Sequence, residues 1–169
     1  MKLTILTDNN QAPNSKLLFE HGLCFYIEES GKKILFDTGY SDIFIKNSET
    51  LGVDLLDLDY IVLSHGHYDH TWGLALYLSF YMNALKKNIV KKKPVILTHP
   101  STFLEKYEEG VGEVGSILTE EKLRKSFDVI LTDEPYNITD NLVFLGEIPS
   151  LNGFEIKEPM DKVLVNGEY

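Results

Sequence analysis

The chain has 169 residues, 43% of them hydrophobic and 25% charged, which is the balance of an ordinary globular protein with one core. A formal net charge of −10 argues against a nucleic-acid partner, and a single cysteine excludes a disulfide within the chain. No signal-peptide pattern follows Met1, and the longest apolar stretch, 72–85, is shorter than the ~18 residues of a membrane span. We therefore expect one cytoplasmic domain over residues 1–169 that binds neither nucleic acid nor a membrane.

Alternating and apolar segments predict strands in the first part of the chain. Residues 2–7, 22–28 and 32–36 have strand patterns. The dipeptide Ser30-Gly31 joins the last two and predicts an antiparallel hairpin. Cys24 lies inside an apolar run, and we interpret it as a small buried hydrophobic residue rather than a ligand or nucleophile.

A helix and a buried strand are predicted next. Ser41 is a candidate cap for a helix that runs to about residue 51, where Gly52 is a stop signal. The apolar residues 60–63 then predict a strand. The segment before this strand alternates acidic and leucine residues, which indicates a solvated edge rather than a metal cluster; its acidic members are Asp54, Asp57 and Asp59.

Directly after this strand, three histidines and an aspartate fall within six consecutive positions: His65, His67, Asp69 and His70. Imidazole nitrogen and carboxylate oxygen are ligands that zinc, iron and manganese accept. His65 and His67 are two positions apart, so in an extended loop their side chains point the same way, while Asp69 and His70 can turn towards a second ion. The spacing predicts a metal centre between the strand and a following helix.

The second half of the chain carries further helix and strand patterns. We predict helices at 73–87, 102–109 and 119–127, strands at 94–98, 128–132, 142–145 and 162–165, and a flexible glycine-containing loop at 110–115. Asn166-Gly167 is a hairpin signal with only two residues after it, so a return strand is missing from the pattern. We therefore expect the strand at 162–165 to have a free edge that another chain would cover.

Two residues at strand ends have open interpretations. Asp37 precedes a glycine, so it is either a turn-forming residue or a carboxylate that orients the metal loop, and the residue chemistry favours neither. His99 follows a strand as His65 does, so it can face a substrate or lie on the surface, with a ligand role less favoured.

The segment 64–70, with Phe36-Asp37-Thr38-Gly39 upstream, resembles the metallo-β-lactamase superfamily, whose signature is His-x-His-x-Asp-His. Further matching segments resemble the branch of 7,8-dihydropterin-6-yl-methyl-4-(β-D-ribofuranosyl)aminobenzene 5'-phosphate synthase; they are 21–23, 35–39, 51–54, 65–71 and 146–149. The resemblance implies an α/β (α+β) fold, a four-layer αββα sandwich with the metal site at the edge between two sheets.

The resemblance also implies a site and a reaction. His65 and His67 would bind one divalent ion, Asp69 and His70 a second, and Asp37 would orient the loop. We favour zinc, with manganese or iron open. A zinc-bound water has a pKa of about 7, so it would supply the nucleophilic hydroxide, and Asp69 would orient and deprotonate this water.

The resemblance further implies ligands beyond residue 169, because such domains are longer than this chain. We expect the domain to be incomplete at its C-terminus and completed by a missing segment or a second polypeptide. His21 matches none of the missing positions. Trp72 stands where the family usually has glycine, so it can line the pocket and face a substrate or pack in the core.

The expected function is a metal-dependent hydrolase, with dinuclear zinc, or a pterin-directed transferase that acts on a small molecule. The alternative is a non-catalytic metal-binding subunit that depends on a partner.

Overall fold

The computed structural model describes residues 1–11, 16–149 and 161–165. Along the chain, its strands and helices are β1 (Lys2–Thr7), β2 (Cys24–Glu29), β3 (Lys32–Phe36), α1 (Ile43–Leu51), β4 (Tyr60–Val62), α2 (Tyr68–Thr71), α3 (Gly73–Lys86), β5 (Val95–Thr98), a 3-10 turn (Pro100–Phe103), β6 (Lys106–Glu108), β7 (Gly112–Glu113), α4 (Glu120–Arg124), β8 (Asp128–Leu131), β9 (Tyr136–Thr139), β10 (Leu142–Phe144) and β11 (Lys162–Val163). No helix in these ranges has the length and apolar character needed to cross a membrane.

The largest sheet within the described residues has six strands in the order β1-β2-β3-β4-β5-β8. β1, β2 and β3 are antiparallel, and Ser30 and Gly31 turn the predicted hairpin with φ values of 49° and 76°. β3, β4, β5 and β8 are parallel, so their carboxyl ends meet at one edge. Ligand-binding loops of α/β sheets collect at this edge.

The two faces of the large sheet are covered differently. Side chains such as Leu35 and Ile61 pack against the helices through Phe44 and Tyr77. Alternate residues on the opposite face pack against the β9–β10 hairpin, which forms a second small sheet. The described residues therefore form a helix layer, a mixed sheet and a second sheet, which confirms the predicted fold class. Cys24 is fully buried in the helix-side core, as predicted.

Several local predictions need correction. Residues 102–109 are not a helix: they form the end of the 3-10 turn and β6. Residues 110–115 are not a simple loop, because β7 pairs with β6. β9 has no counterpart among the predicted strands, and α4 is shorter than the predicted helix at 119–127. These small sheets depend on pairing between strands, which local residue patterns do not reveal.

The predicted boundaries of α1 and α3 are close to those observed. α1 has Asp42 as its N-cap rather than Ser41, although the Ser41 hydroxyl accepts a hydrogen bond from the Ile43 amide. Gly52 ends α1 with φ 69°, as predicted. The strand predicted at 162–165 is represented by β11, which pairs with β6. The Asn166-Gly167 hairpin signal lies outside the described residues.

Candidate functional site

The histidine-rich segment leaves β4 at the carboxyl edge of the sheet and enters α2. Close backbone contacts set its path. A Cβ atom on Gly66 would lie 2.1 Å from the Thr102 carbonyl oxygen and 2.5 Å from Nζ of Lys106, so only glycine fits between the loop and the 3-10 turn. The segment is therefore pressed against the 3-10 turn and the start of β6.

A second close approach fixes the end of this segment. A Cβ atom on Gly73 would lie 2.0 Å from the Thr38 carbonyl oxygen. The Thr38 amide and hydroxyl both donate to the His70 carbonyl oxygen at 2.9 Å. The loop after β3 and the start of α3 are thus joined directly behind His70.

The four predicted ligands lie together at this edge. Nε2 of His65 is 3.0 Å from Nδ1 of His67, and the His65 and His70 ring centroids are 4.2 Å apart. Oδ2 of Asp69 is 3.4 Å from Nε2 of His70. The fold therefore brings three imidazoles and a carboxylate into one cluster.

Asp37 lies directly beneath the cluster and is fully buried. Its carboxylate accepts hydrogen bonds from the Ser64 amide, the Ser64 hydroxyl and Nδ1 of His70, each at 2.7 Å. Its backbone adopts φ 57°, a left-handed conformation that aspartate tolerates better than most residues. The carboxylate thus contacts both the start of the loop and the ring of His70.

The surroundings of the rings determine their protonation. Burial, together with the charges of His70 and His67, lowers the pKa of His65 to about 4, so this ring is neutral at pH 7. Burial opposes the charged form of His70 as well, but the hydrogen bond and charge of Asp37 outweigh it and raise the pKa of His70. When neutral, a His70 ring that donates from Nδ1 to Asp37 carries its lone pair on Nε2, towards Asp69.

The donor chemistry of the cluster suits a borderline cation such as zinc. As the side chains stand, however, no group of three or more His, Cys, Asp or Glu residues in the described ranges is arranged to hold a metal ion. The nitrogens that would serve as ligands instead contact one another, as between His65 and His67.

Two residues without a predicted role also contact the cluster. Nε2 of His21 is 3.2 Å from Oδ2 of Asp69, while the side-chain amide nitrogen of Asn9 lies 3.3 Å from Nδ1 of His21. Oδ2 of Asp161 is 3.2 Å from Nε2 of His67. These groups surround a cavity of about 170 Å³ lined by His21, His67, Tyr68, Asp69, Glu108, Val114 and Asp161.

His99 and Trp72, the candidates for contact with a substrate, make structural contacts outside that lining. Nδ1 of His99 accepts a hydrogen bond from the Ser101 amide at 3.1 Å and caps the 3-10 turn. The Trp72 indole stacks on Tyr40 with ring centroids 5.3 Å apart, and its Nε1 donates to the Gly115 carbonyl oxygen at 2.8 Å. Their roles towards a substrate stay predictions.

Comparison with known proteins gives consistent matches. A family model for the metallo-beta-lactamase superfamily matches residues 18–105. An uncharacterized protein of Methanocaldococcus jannaschii is 32% identical over 92% of this chain and 57% of its own length. A second protein of that organism, named 7,8-dihydropterin-6-methyl-4-(beta-D-ribofuranosyl)-aminobenzene-5'-phosphate synthase, is 31% identical over 88% of this chain and 51% of its own.

The solved structure of a metal-dependent hydrolase of the beta-lactamase superfamily is also similar. It aligns with a TM-score of 0.72 and 26% identity over 98% of this chain and 55% of that chain. This chain therefore spans about half the length of the relatives that it matches.

Proposed function

Because this chain belongs to the metallo-β-lactamase superfamily, we propose that it is a metal-dependent hydrolase or a pterin-directed transferase that acts on a small molecule. The observation that carries the proposal is the convergence of four side chains at the carboxyl edge of the parallel strands; they are His65, His67, Asp69 and His70. The pterin-directed alternative is supported by the name of the 31% identical relative.

The proposed ligand set holds two divalent ions, with zinc preferred over manganese or iron. His65 and His67 would bind the first ion, and Asp69 and His70 the second. When bound, the ions would supply Lewis acidity, which lowers the pKa of a coordinated water and polarises the bond under attack. The low pKa of His65 supports this assignment, because a neutral ring keeps a lone pair for a cation.

The remaining groups would orient this site. Asp37 keeps the His70 proton on Nδ1 and leaves Nε2 as the ligand atom. The Asp69 side chain is 14% exposed and lines the cavity, so its carboxylate is within reach of solvent. Its Oδ2 also contacts both His21 and His70. We assign Asp69 the role of orienting the attacking water and accepting its proton.

The rest of the ligand set is part of the proposal as well. Since the chain spans about half the length of its relatives, we infer that a further segment or a second polypeptide completes the site. A second candidate function is a non-catalytic metal-binding subunit that depends on such a partner. Since no group of three donors in the described residues is arranged for a metal ion, either function would need the partner or the further segment to complete the site.

The test is a hydrolysis screen of the zinc-loaded chain, with and without any polypeptide that co-purifies with it, on carboxylic esters, phosphoesters and pterin derivatives. Turnover should fall at least about 100-fold in Asp69→Asn, which retains the shape of the side chain but loses the base. Asp128→Asn is the matched control, because Asp128 begins β8 at the opposite edge of the sheet. Zinc binding without turnover in every combination would favour the non-catalytic subunit, and turnover unaffected by Asp69→Asn would overturn the mechanism.

A further inference from the structure

We propose that Asp161 is the carboxylate that positions His67 in the candidate metal centre, an inference that rests on the proposed function. Oδ2 of Asp161 lies 3.2 Å from Nε2 of His67, and the two side chains are 17% and 30% exposed. The other ring nitrogen of His67, Nδ1, faces Nε2 of His65 at 3.0 Å. One edge of the ring is therefore directed at the ligand cluster and the other at the carboxylate.

Asp161 reaches His67 through the pairing of β11 with β6. Val163 is opposite Lys106 in this ladder, and the Leu164 amide donates to the Glu105 carbonyl oxygen at 2.9 Å. Asp161 directly precedes β11 and lies on the cavity that His67 also lines. Strand pairing rather than nearness along the chain thus delivers the carboxylate.

The same small sheet also holds the histidine loop on both sides of His67. On one side, Lys106 and the 3-10 turn leave no room for a Cβ atom at Gly66. On the other side, the Tyr68 amide donates to the Val114 carbonyl oxygen at 2.9 Å. Because β6 is fixed against the loop and β11 is fixed against β6, Asp161 and His67 belong to one connected unit.

A buried cation accompanies this carboxylate. Lys106 is 6% exposed, and its ammonium donates to the carbonyl oxygens of Ser101 at 2.8 Å and Leu104 at 3.1 Å. Burial lowers the pKa of Lys106, while the charges of Asp161 and Glu113 oppose that shift. A buried ammonium therefore lies close enough to Asp161 for the two charges to interact.

Asp161 and Asp37 act on opposite nitrogens of their respective rings. Asp37 accepts a hydrogen bond from Nδ1 of His70 and leaves Nε2 for a cation, whereas Asp161 makes an ion-pair contact with Nε2 of His67 and leaves Nδ1. A carboxylate in this position selects the tautomer, fixes the ring orientation and increases the basicity of the ligand nitrogen. Asp161 is thus a positioning residue that acts through His67.

The first readout is the tautomer of His67 in the metal-free chain, from long-range ¹H–¹⁵N spectra of protein labelled with ¹⁵N-histidine. The wild-type ring should carry its proton on Nε2. Asp161→Ala should lose that preference, and Asp161→Glu should restore it. Asp128→Asn is the control, because Asp128 is a 70% exposed carboxylate paired with Lys93 at the opposite edge of the sheet.

The second readout is zinc affinity, measured by competition with a chromophoric chelator. Asp161→Ala should bind zinc about 10- to 100-fold more weakly than the wild type, since loss of a carboxylate behind a ligating histidine has that effect. Asp161→Glu and Asp128→Asn should stay close to the wild type. If Asp161→Ala does not fold, Asp161→Asn replaces it. Its neutral amide can donate to Nε2 as well as accept from it, so the tautomer preference and the zinc affinity should both weaken.

The outcomes separate this inference from the proposed function. Wild-type zinc affinity and an unchanged His67 tautomer in Asp161→Ala would overturn the role of Asp161 while leaving the metal centre intact. A wild-type assembly that takes up no zinc would contradict the proposed function, and the tautomer spectra of the metal-free chain would still decide whether Asp161 positions His67.

Discussion

Replacing Asp37 with asparagine should move the proton of the neutral His70 ring from Nδ1 to Nε2. The Ser64 amide donates to Oδ1 of Asp37, so the oxygen of an introduced amide is held on that side, and its NH₂ group takes the place of Oδ2. In the native chain, Oδ2 accepts from Nδ1 of His70 and from the Ser64 hydroxyl. An NH₂ group can face Nδ1 only if that nitrogen is unprotonated, so the neutral ring should carry its proton on Nε2, towards Asp69.

The expected loss of stability follows from the two bonds to Oδ2. Hydrogen bonds to a charged group contribute about 1.5–3 kcal/mol each and neutral ones about 0.5–1.5 kcal/mol, so the substitution should lower the free energy of unfolding by about 2–3 kcal/mol. Asparagine tolerates the left-handed backbone at this position, so little strain is added. Zinc affinity should fall at least about 10-fold, because Nε2 no longer offers a lone pair.

Urea denaturation measures the stability of this variant, ¹⁵N-histidine spectra measure the tautomer, and chelator competition measures zinc affinity. Asp57→Asn is a matched control, because it removes a carboxylate paired with Lys33, away from the histidines. A destabilised Asp37→Asn chain that keeps the proton on Nδ1 of His70 and binds zinc like the wild type would refute the reasoning. Asp37 would then support the loop without orienting the ring.

Three further predictions test the surroundings of the site. Gly73→Ala would bring a methyl group within 2.0 Å of the Thr38 carbonyl oxygen, so the free energy of unfolding should fall by about 1–3 kcal/mol; an unchanged urea midpoint would contradict this. Cys24 is fully buried, and burial raises the pKa of its thiol. Ellman's reagent should therefore label this thiol only as the chain unfolds, and rapid labelling of the native chain would contradict the prediction. The hydrogen bond from Lys33 lowers the pKa of Asp57, so this carboxylate stabilises the fold above its unfolded-state pKa of about 4. The stabilisation is lost as the pH falls through the lower folded-state pKa. In acid denaturation, Asp57→Asn should therefore lose stability less steeply than the wild type over that interval, and an equal slope would count against the pair.

The parts of the fold that the sequence predicts well are those with local causes. Ser30-Gly31 turns a hairpin because its residues supply positive φ, and Gly52 ends α1 for the same reason. The apolar runs of β4 and β5 identify buried parallel strands without reference to other segments. β6 and β7 escape such prediction because their strand conformation depends on pairing with each other and with β11.

The candidate site likewise contains residues that the sequence predicts and residues that it does not. The cluster His65 to His70 lies within one short segment, so its pattern is visible in the sequence. His21 and Asp161 have no such pattern: His21 is held beside Asp69 by Asn9, and Asp161 is brought to His67 by the β6–β11 pairing. Residues that reach a site through tertiary contacts escape motif-based prediction, and these two lie on the walls of the cavity.

The most direct test of the metal centre is the metal content of the natively expressed chain, measured by plasma emission together with the intact mass of any polypeptide that co-purifies. We predict about two zinc ions per chain in the completed assembly, and their loss in a His65→Ala, His67→Ala double variant that remains folded. A folded wild-type assembly that contains no metal and takes up none from excess zinc would contradict the assignment of a metal centre to this loop.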